Sequence, residues 1–232
     1  MSVIGIIGAM DEEVSILKES MEVEKVVSKA SMDFYQGKLS NKEVVIVRSG
    51  IGKVNAAVCT QILVSEFGVS SIINTGVAGS LRNEINIGDI VLSVDALQHD
   101  MDATGFGYEP GIIPRMDVSL FKADEKLVNL AKNVNEAVNT DISTFVGRVV
   151  SGDQFISDKE KKQYLISQFD GFCTEMEGAA IAQTAYLNNI PYLVIRAISD
   201  KADNSAEMDY SEFERKAIEH TVKLVTELVN RM

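Results

Sequence analysis

The chain has 232 residues, of which 46% are hydrophobic and 24% are charged, and this composition is that of an ordinary globular protein. It carries 34 acidic and 22 basic residues, which give a formal net charge of −12. A surface of this charge repels nucleic-acid backbones and anionic lipid headgroups, so neither nucleic acid nor membrane is expected as a partner. No apolar stretch in the sequence approaches the roughly 20 residues that a membrane span requires.

The sequence contains no linker, charge block or repeat that would mark a domain boundary, so one domain spanning residues 1–232 is predicted. Cys59 and Cys173 are far apart in sequence and follow neither a disulfide framework nor a zinc-binding spacing. The first residues lack the basic flank of a signal peptide, and an acidic cluster follows them directly. These features together favour a reducing, cytoplasmic environment.

Apolar segments of strand length alternate with segments of helical periodicity along the whole chain. The predicted strands span residues 3–7, 34–39, 43–48, 71–74, 89–96, 144–150, 171–175 and 192–198. The predicted helices span residues 11–20, 53–67, 124–137, 158–168, 177–188 and 209–230. Several of the strands are continuously hydrophobic, as strands covered on both faces must be. The alternation therefore predicts an α/β fold with a mostly parallel sheet between helical layers.

The last predicted helix has the clearest start signal in the sequence. Asp209 can cap this helix while Glu212 reaches back to complete a capping box, and Met208 can pack against Phe213. In sheets of this class, ligands bind beyond the carboxyl ends of the strands. The candidate functional residues are therefore expected in the loops that follow the strands.

Acidic and small residues fill the loops after the predicted strands. Asp11, Glu12 and Glu13 follow the first strand, where they either complement the dipole of the next helix or belong to a site that excludes phosphate. The segment "NTGVAGSL" follows the strand at 71–74, and its glycines either let a ligand approach the backbone or serve only a turn. Asp200 ends the most hydrophobic strand, where a chemical role and a capping role are about equally reasonable.

Only two histidines occur in the chain, and neither completes a catalytic or metal-binding set. His220 falls on the apolar stripe of the last helix, which indicates a packed residue. His99 stands in "QHDMD", and nothing elsewhere in the sequence completes a ligand set for a metal, so no metal is predicted. Acid–base chemistry in this chain would therefore have to be carried out by carboxylates.

Eight motifs that follow one another along nearly the whole chain resemble those of one family. They are "GIIGAMDEEV", "SGIGKVNAA", "NTGVAGSL", "GDIVLS", "TGFGYEPG", "VVSGDQFI", "TEMEGAAIA" and "RAISDKAD". The family is that of the 5′-methylthioadenosine/S-adenosylhomocysteine nucleosidases, within the nucleoside phosphorylase superfamily. The resemblance implies a three-layer α/β/α sandwich around a central mixed sheet, a homodimer, and irreversible hydrolysis of an N-glycosidic bond with release of adenine. It also implies a small-molecule nucleoside substrate, no cofactor and a role in methionine salvage.

The resemblance assigns the acid and the base of the reaction. Glu13 matches the general base of the family, and Asp200, held by Ser199, matches the residue that protonates the purine. The acid must deliver a proton because adenine leaves poorly as an anion, and the second carboxylate must take a proton from water.

The resemblance also implies which residues surround the substrate. Glu177, helped by Met176, matches the carboxylate that binds the ribose hydroxyls, and Arg196 matches an arginine near the attacking water and the ribose. Glu175 is expected to act as a cap or a structural hydrogen-bond acceptor. The remaining matches to substrate-binding positions are Met10, Ile51, Val77, Ala78, Gly79, Phe106, Tyr108, Phe155, Ile156, Ala202 and Tyr210, together with Pro114, which is expected to reach in from the partner subunit.

Two residues depart from the family pattern. Val77 stands where many members have serine, which removes a hydroxyl from the ribose end, and Tyr210 stands where phenylalanine is common. Neither residue belongs to the acid–base pair, so the departures bear on substrate preference. The ranking of methylthioadenosine, S-adenosylhomocysteine, 5′-deoxyadenosine and aminofutalosine as substrates stays open.

Three functions are compatible with the motifs. The acidic first turn favours a nucleosidase over a purine nucleoside phosphorylase, because phosphorolysis needs a basic phosphate site and superfamily phosphorylases bring an arginine near this turn. The third function, from another class, is that of a noncatalytic nucleoside sensor or a phospho-receiver domain, because "MDEEV" and "SDK" suit an acidic receiver pocket. The chain is about twice the length of a receiver domain, and a receiver domain would leave "EMEG" unexplained.

Overall fold

A computed structural model of the protein describes residues 2–204 and 206–232, without the side chains of residues 207–209, 211 and 212. The strands are β1 (Ile4–Gly8), β2 (Glu22–Lys29), β3 (Met32–Leu39), β4 (Lys42–Arg48), β5 (Ser71–Ser80), β6 (Ile90–Gln98), β7 (Phe121–Lys122), β8 (Thr144–Ser151), β9 (Cys173–Glu175) and β10 (Tyr192–Asp200). The helices are α1 (Asp11–Glu19), α2 (Lys53–Phe67), α3 (Glu125–Val138), α4 (Lys159–Phe169), α5 (Gly178–Leu187) and α6 (Ala206–Arg231). A short 3₁₀ helix covers Thr104–Phe106.

The strands form one mixed sheet in the order β10–β6–β8–β9–β5–β1–β4–β3–β2, with β7 paired to β6. The run β4–β1–β5–β10 is parallel, and so is the run β6–β8–β9. Antiparallel ladders between β10 and β6 and between β5 and β9 join the two runs. As a result, strands β5, β10, β6, β8 and β9 form a closed ring of hydrogen-bonded neighbours. The predicted mixed sheet is confirmed, with parallel and antiparallel ladders in equal number.

Helices cover the sheet on both faces, as the predicted three-layer architecture requires. Side chains of β4 alternate, so that Val44 and Ile46 pack into one core cluster while Val45 and Val47 pack into the other. Helices α1, α3 and α6 contribute to the first cluster, and helices α2 and α5 contribute to the second. Each fully buried aliphatic side chain in these layers stabilises the fold by roughly 1.5–3 kcal/mol.

The sequence-based predictions missed β2 and β7 and placed some ends too early. β2 is an edge strand whose residues are mostly exposed and mix charged with apolar types, so it lacks the hydrophobic run that marks central strands. β5 continues from residue 74 to Ser80 because β10 and β9 both pair with its glycine-containing end.

Helix α6 begins at Ala206, before the predicted start at Asp209. Asp209 therefore lies within the helix and not at its N-cap, so this prediction was wrong. The contacts predicted for Met208, Asp209 and Glu212 lie outside the described side chains. In the described part of the chain, the helices fall short of the length and apolar character that a membrane crossing would need.

Candidate active site

A cavity of about 190 Å³ opens at the carboxyl ends of the central parallel strands, where ligands bind in sheets of this class. It is lined by Ala9, Met10, Glu13, Ile51, Val77, Ala78, Gly79, Phe155, Thr174, Glu175, Met176, Glu177, Ser199, Asp200 and Tyr210. A smaller adjoining cavity of about 40 Å³ is lined by Gly79, Gln154, Phe155, Ile156, Thr174, Glu175, Met176 and Asp200. The structure thus brings most of the predicted site residues together around one continuous space.

Five predicted site residues do not line either cavity. Arg196 is 1% exposed and lies behind the carboxylates, because its strand β10 turns this side chain into the core. Ala202 is buried and donates its backbone N–H to Asp200 Oδ1. Phe106, Tyr108 and Pro114 lie in the segment between β6 and β7, where Phe106 is 88% exposed. Phe106 and Tyr108 thus do not reach the cavity of their own subunit, and Pro114 was expected to act from the partner subunit, so the roles of all three stay predictions.

Three residues line the cavities although the sequence did not single them out. Ala9 and Gln154 are chain neighbours of predicted residues, so their motifs contained the signal. Thr174 opens the "TEMEGAAIA" motif and lines both cavities. Its orientation depends on how β9 pairs with β5, which the sequence does not specify.

Glu13 is a buried carboxylate held by backbone groups of two elements. Its Oε2 accepts hydrogen bonds from the Ala9 N–H (2.6 Å) and the Met10 N–H (3.1 Å), and its Oε1 accepts one from the Val77 N–H (3.1 Å). Burial raises the pKa of Glu13, although the Arg196 charge and these three N–H groups oppose the rise. The result is a fixed carboxylate with an increased affinity for a proton.

Arg196 forms the centre of a buried ionic network. Its Nη2 donates to Asn74 Oδ1 (2.6 Å) and to Glu175, and it lies 3.8 Å from Glu177 Oε2. Glu175 also accepts from the Gly178 N–H (2.8 Å) at the start of α5. Glu175 thus has the contacts of a structural acceptor, and its charge is balanced by the guanidinium.

Glu177 is a second carboxylate of the network, and like Glu175 it lines the main cavity. Its Oε1 accepts a hydrogen bond from the Gly52 N–H (2.8 Å). Burial, followed by the neighbouring Glu175 charge, raises the pKa of Glu177 to about 7, although the Arg196 charge and the Gly52 N–H oppose the rise. Glu177 can therefore change protonation state near neutral pH.

Asp200 lies at the end of β10 and is 2% exposed. Its Oδ2 accepts from the Ser199 hydroxyl (2.9 Å), and its Oδ1 accepts from the Ala202 N–H (2.8 Å). These contacts aim the carboxyl group at the space that both cavities share. Asp200 and Glu13 thus reach the same cavity from different strand ends.

Two glycines of "NTGVAGSL" let charged groups approach β5. A Cβ at Gly76 would lie 2.1 Å from Arg196 Nη1 and 2.4 Å from Glu13 Oε1. A Cβ at Gly79 would lie 2.7 Å from Asp200 Oδ1. The sequence left open whether these glycines serve a ligand or a turn, and the structure gives a third answer, namely space for the protein's own carboxylates and guanidinium.

The outer end of the cavity is largely apolar. Phe155 and Ile51 are 49% and 54% exposed there. The ring of Tyr210 meets the ring of Phe155 edge-on at 6.1 Å, and its hydroxyl donates to Glu214 Oε1 (2.6 Å). The phenol that departs from the family pattern is therefore tied to the helix surface.

The fold and the site define an enzyme of the phosphorylase superfamily, whose family model matches residues 3–230. Over 230 residues, the chain is 43% identical to the 5′-methylthioadenosine/S-adenosylhomocysteine nucleosidase of Staphylococcus carnosus (strain TM300), covering 99% of this chain and all of the relative. The chain belongs to the 5′-methylthioadenosine/S-adenosylhomocysteine nucleosidase family and is an N-glycosyl hydrolase. This confirms the resemblance carried by the eight motifs.

Solved structures agree with this assignment. The nucleosidase of Neisseria meningitidis in complex with methylthio-immucillin-A superposes with a TM-score of 0.95 at 37% identity, covering all of both chains. The futalosine hydrolase of Helicobacter pylori strain 26695 superposes with a TM-score of 0.94 at 34% identity, covering 100% of this chain and 98% of the other.

Proposed function

We propose that the protein hydrolyses the N-glycosidic bond of 5′-methylthioadenosine and S-adenosylhomocysteine, and of 5′-deoxyadenosine, to adenine and a 5-substituted ribose. The observation that carries this proposal is the pair of buried carboxylates, Glu13 and Asp200, at one cavity of about 190 Å³. The names of the relatives support the substrate class.

Asp200 protonates the leaving base in this proposal. Cleavage builds positive charge on the sugar and negative charge on the purine, so the acid delivers its proton to N7 of adenine. The Ser199 hydroxyl and the Ala202 N–H fix the carboxyl group for this transfer. Phe155 and Ile156 contact the base, since both line the adjoining cavity with Asp200.

Glu13 acts as the base that takes a proton from water on the other side of the sugar. The arrangement parallels inverting glycoside hydrolysis, in which the acid and the base stand apart and leave room for the water. The raised pKa of Glu13 suits it for accepting that proton. The backbone N–H groups of Ala9, Met10 and Val77 hold the carboxylate in position.

Glu177 binds the ribose hydroxyls with help from Met176, and its charge stabilises the cationic sugar. Both residues line the main cavity. Arg196 is a positioning residue in this proposal, because it contacts Glu175 and Glu177 but does not line the cavity. The positive charge of its guanidinium reduces the repulsion among the carboxylates of Glu13, Glu175 and Glu177, which lie close together in the core.

Water is the proposed nucleophile. Among the described residues that line the two cavities, none is lysine or arginine, whereas a bound phosphate would need such a cation. Adenine release from methylthioadenosine, followed by ultraviolet absorbance, is expected to proceed at the same rate with and without phosphate and to yield free sugar. A requirement for phosphate and a ribose 1-phosphate product would identify a phosphorylase, and no release in either buffer would favour a nucleoside sensor.

Aminofutalosine is a second candidate substrate. The superposition with a futalosine hydrolase supports it, and the outer end of the cavity offers exposed apolar surface to a large 5′-substituent. A comparison of kcat/KM across methylthioadenosine, S-adenosylhomocysteine, 5′-deoxyadenosine and aminofutalosine ranks the candidates.

A homodimer is also part of the proposal. Phe106 and Tyr108 are 88% and 36% exposed, and with Pro114 they lie on a segment that does not reach the cavity of its own subunit. A partner subunit would bring these side chains to the exposed apolar mouth formed by Ile51 and Phe155. Light scattering is expected to give the mass of two chains, and the mass of one chain would contradict this part of the proposal.

We further propose that residues 1–232 act as one domain, in the cytoplasm, in methionine salvage. The single sheet that runs from β1 to β10 supports one domain. The cysteines Cys59 and Cys173 are both buried and free, which suits a reducing compartment. Family membership supports the metabolic role.

A further inference from the structure

Thr174 is a polar residue of the cavity to which the proposed reaction gives no role. Its residue surface is 5% exposed, and it lines both the main and the adjoining cavity. No group among the described residues forms a hydrogen bond with its Oγ1. Buried hydroxyls nearly always have a hydrogen-bond partner, so this one is available to a ligand.

The sheet register places Thr174 opposite Asp200 with Gly79 between them. Gly79 of β5 pairs with Thr174 of β9 on one side and with Asp200 of β10 on the other. Residues that face each other across a ladder direct their side chains to the same face of the sheet. The short distance from a Gly79 Cβ position to Asp200 Oδ1 confirms this for Asp200, and all three residues line both cavities.

Gly79, which has no side chain, therefore leaves open space between the side chains of Thr174 and Asp200. Thr174 and Asp200 are two strand spacings apart, or roughly 9–10 Å. A flat bicyclic base can lie above Gly79 with one edge toward each side chain. Asp200 faces the edge that carries N7, so Thr174 faces the opposite edge, where N3 is the hydrogen-bond acceptor.

We propose that the Thr174 hydroxyl donates a hydrogen bond to N3 of the adenine base and is a further substrate-binding residue. This inference rests on the proposed function, because it takes the orientation of the base from the role of Asp200. The hydroxyl is suited to the task because it can donate to a ring nitrogen, and β9 already pairs on both sides through its backbone.

Two substitutions at Thr174 separate the hydroxyl from the shape of the side chain. Thr174→Val keeps the shape and removes the hydroxyl, whereas Thr174→Ser keeps the hydroxyl. We expect kcat/KM for methylthioadenosine to fall about tenfold in T174V and less than about threefold in T174S. The Tm of T174V is expected to be equal or higher, because that variant no longer buries an unpaired hydroxyl.

The 3-deaza analogue of methylthioadenosine, in which C–H replaces N3, tests the contact itself. Replacing methylthioadenosine with this analogue should lower kcat/KM about tenfold more in the unsubstituted enzyme than in T174V. Ser71→Ala is the matched control, since Ser71 Oγ is also buried without a partner among the described residues and lies at the far end of β5 from the cavity. The Ser71→Ala variant should have the same kcat/KM as the unsubstituted enzyme for methylthioadenosine and for the 3-deaza analogue.

Calorimetric binding of adenine and 3-deazaadenine gives the same comparison without turnover. A smaller preference for adenine in T174V than in the unsubstituted protein supports the contact. Equal preferences in the two proteins overturn the role of Thr174, whatever the catalytic rate. Failure of the unsubstituted protein to release adenine from any of the nucleosides overturns the proposed function, and the binding comparison still decides the inference.

Discussion

The Asp200→Asn substitution is expected to lower kcat for methylthioadenosine by about 10²–10⁴-fold and to leave Tm unchanged. The rate falls because the amide has no acidic proton to deliver to N7. The fold is kept because the Asn carbonyl can accept from the Ala202 N–H, as Oδ1 does in the unsubstituted protein. The Asn NH₂ can donate to the Ser199 hydroxyl, which then accepts this hydrogen bond instead of donating one. Steady-state kinetics and thermal unfolding of the same preparation measure both effects.

Asp203→Asn is the matched control for this substitution. Asp203 lies just beyond Asp200, and its carboxylate is 3.9 Å from Lys162 Nζ, so the same chemical change is made outside the cavity. Its rate should be close to that of the unsubstituted enzyme. A ribose derivative with 4-nitrophenol as the leaving group needs no proton, so Asp200→Asn should cleave it at a nearly normal rate. A normal rate with methylthioadenosine would show that the proton comes from another group.

Local sequence patterns predicted the central elements well because those elements are buried. The strand at 192–198 is hydrophobic apart from Arg196, and it was found as the core strand β10. The edge strand β2 is mostly exposed, and its mixture of charged and apolar residues has no clear strand periodicity, so it was not detected. Burial decides how clearly a strand can be recognised from sequence.

The carboxylates of the site could also be predicted, since Glu13 and Asp200 directly follow strands, and strand ends converge at one edge of a parallel sheet. The position of Arg196 behind the carboxylates could not, because a strand buried on both faces gives no periodicity that separates its two sides. The pairing of Thr174 with Gly79 depends on a ladder between strands about 95 residues apart in the chain, and no local pattern specifies such a register.

The Glu13→Gln substitution is expected to lower kcat by about 10²–10⁴-fold and also to destabilise the protein. Both carboxylate oxygens of Glu13 accept hydrogen bonds from backbone N–H groups, namely those of Ala9, Met10 and Val77. A glutamine amide must turn its NH₂ toward at least one of these donors and leave it unpaired in the core. The loss of about 1–3 kcal/mol should lower Tm by about 2–12 °C. Asp200→Asn has no such conflict, so the two variants should differ in Tm although both lose activity.

Glu12→Gln provides the control, because Glu12 neighbours Glu13 in the first turn of α1 but is exposed. It should change neither the rate nor Tm.

The unsubstituted enzyme and Glu12→Gln should also share an acid limb in the pH profile, in which kcat/KM falls as the pH is lowered through about 7. The limb has this sign because Glu13, whose pKa is raised, and Glu177, whose pKa is raised to about 7, must both be ionised to accept a proton and to bind the ribose hydroxyls. A kcat/KM that stays constant from about pH 8 down to about pH 5 would show that neither carboxylate acts in its ionised form with a raised pKa.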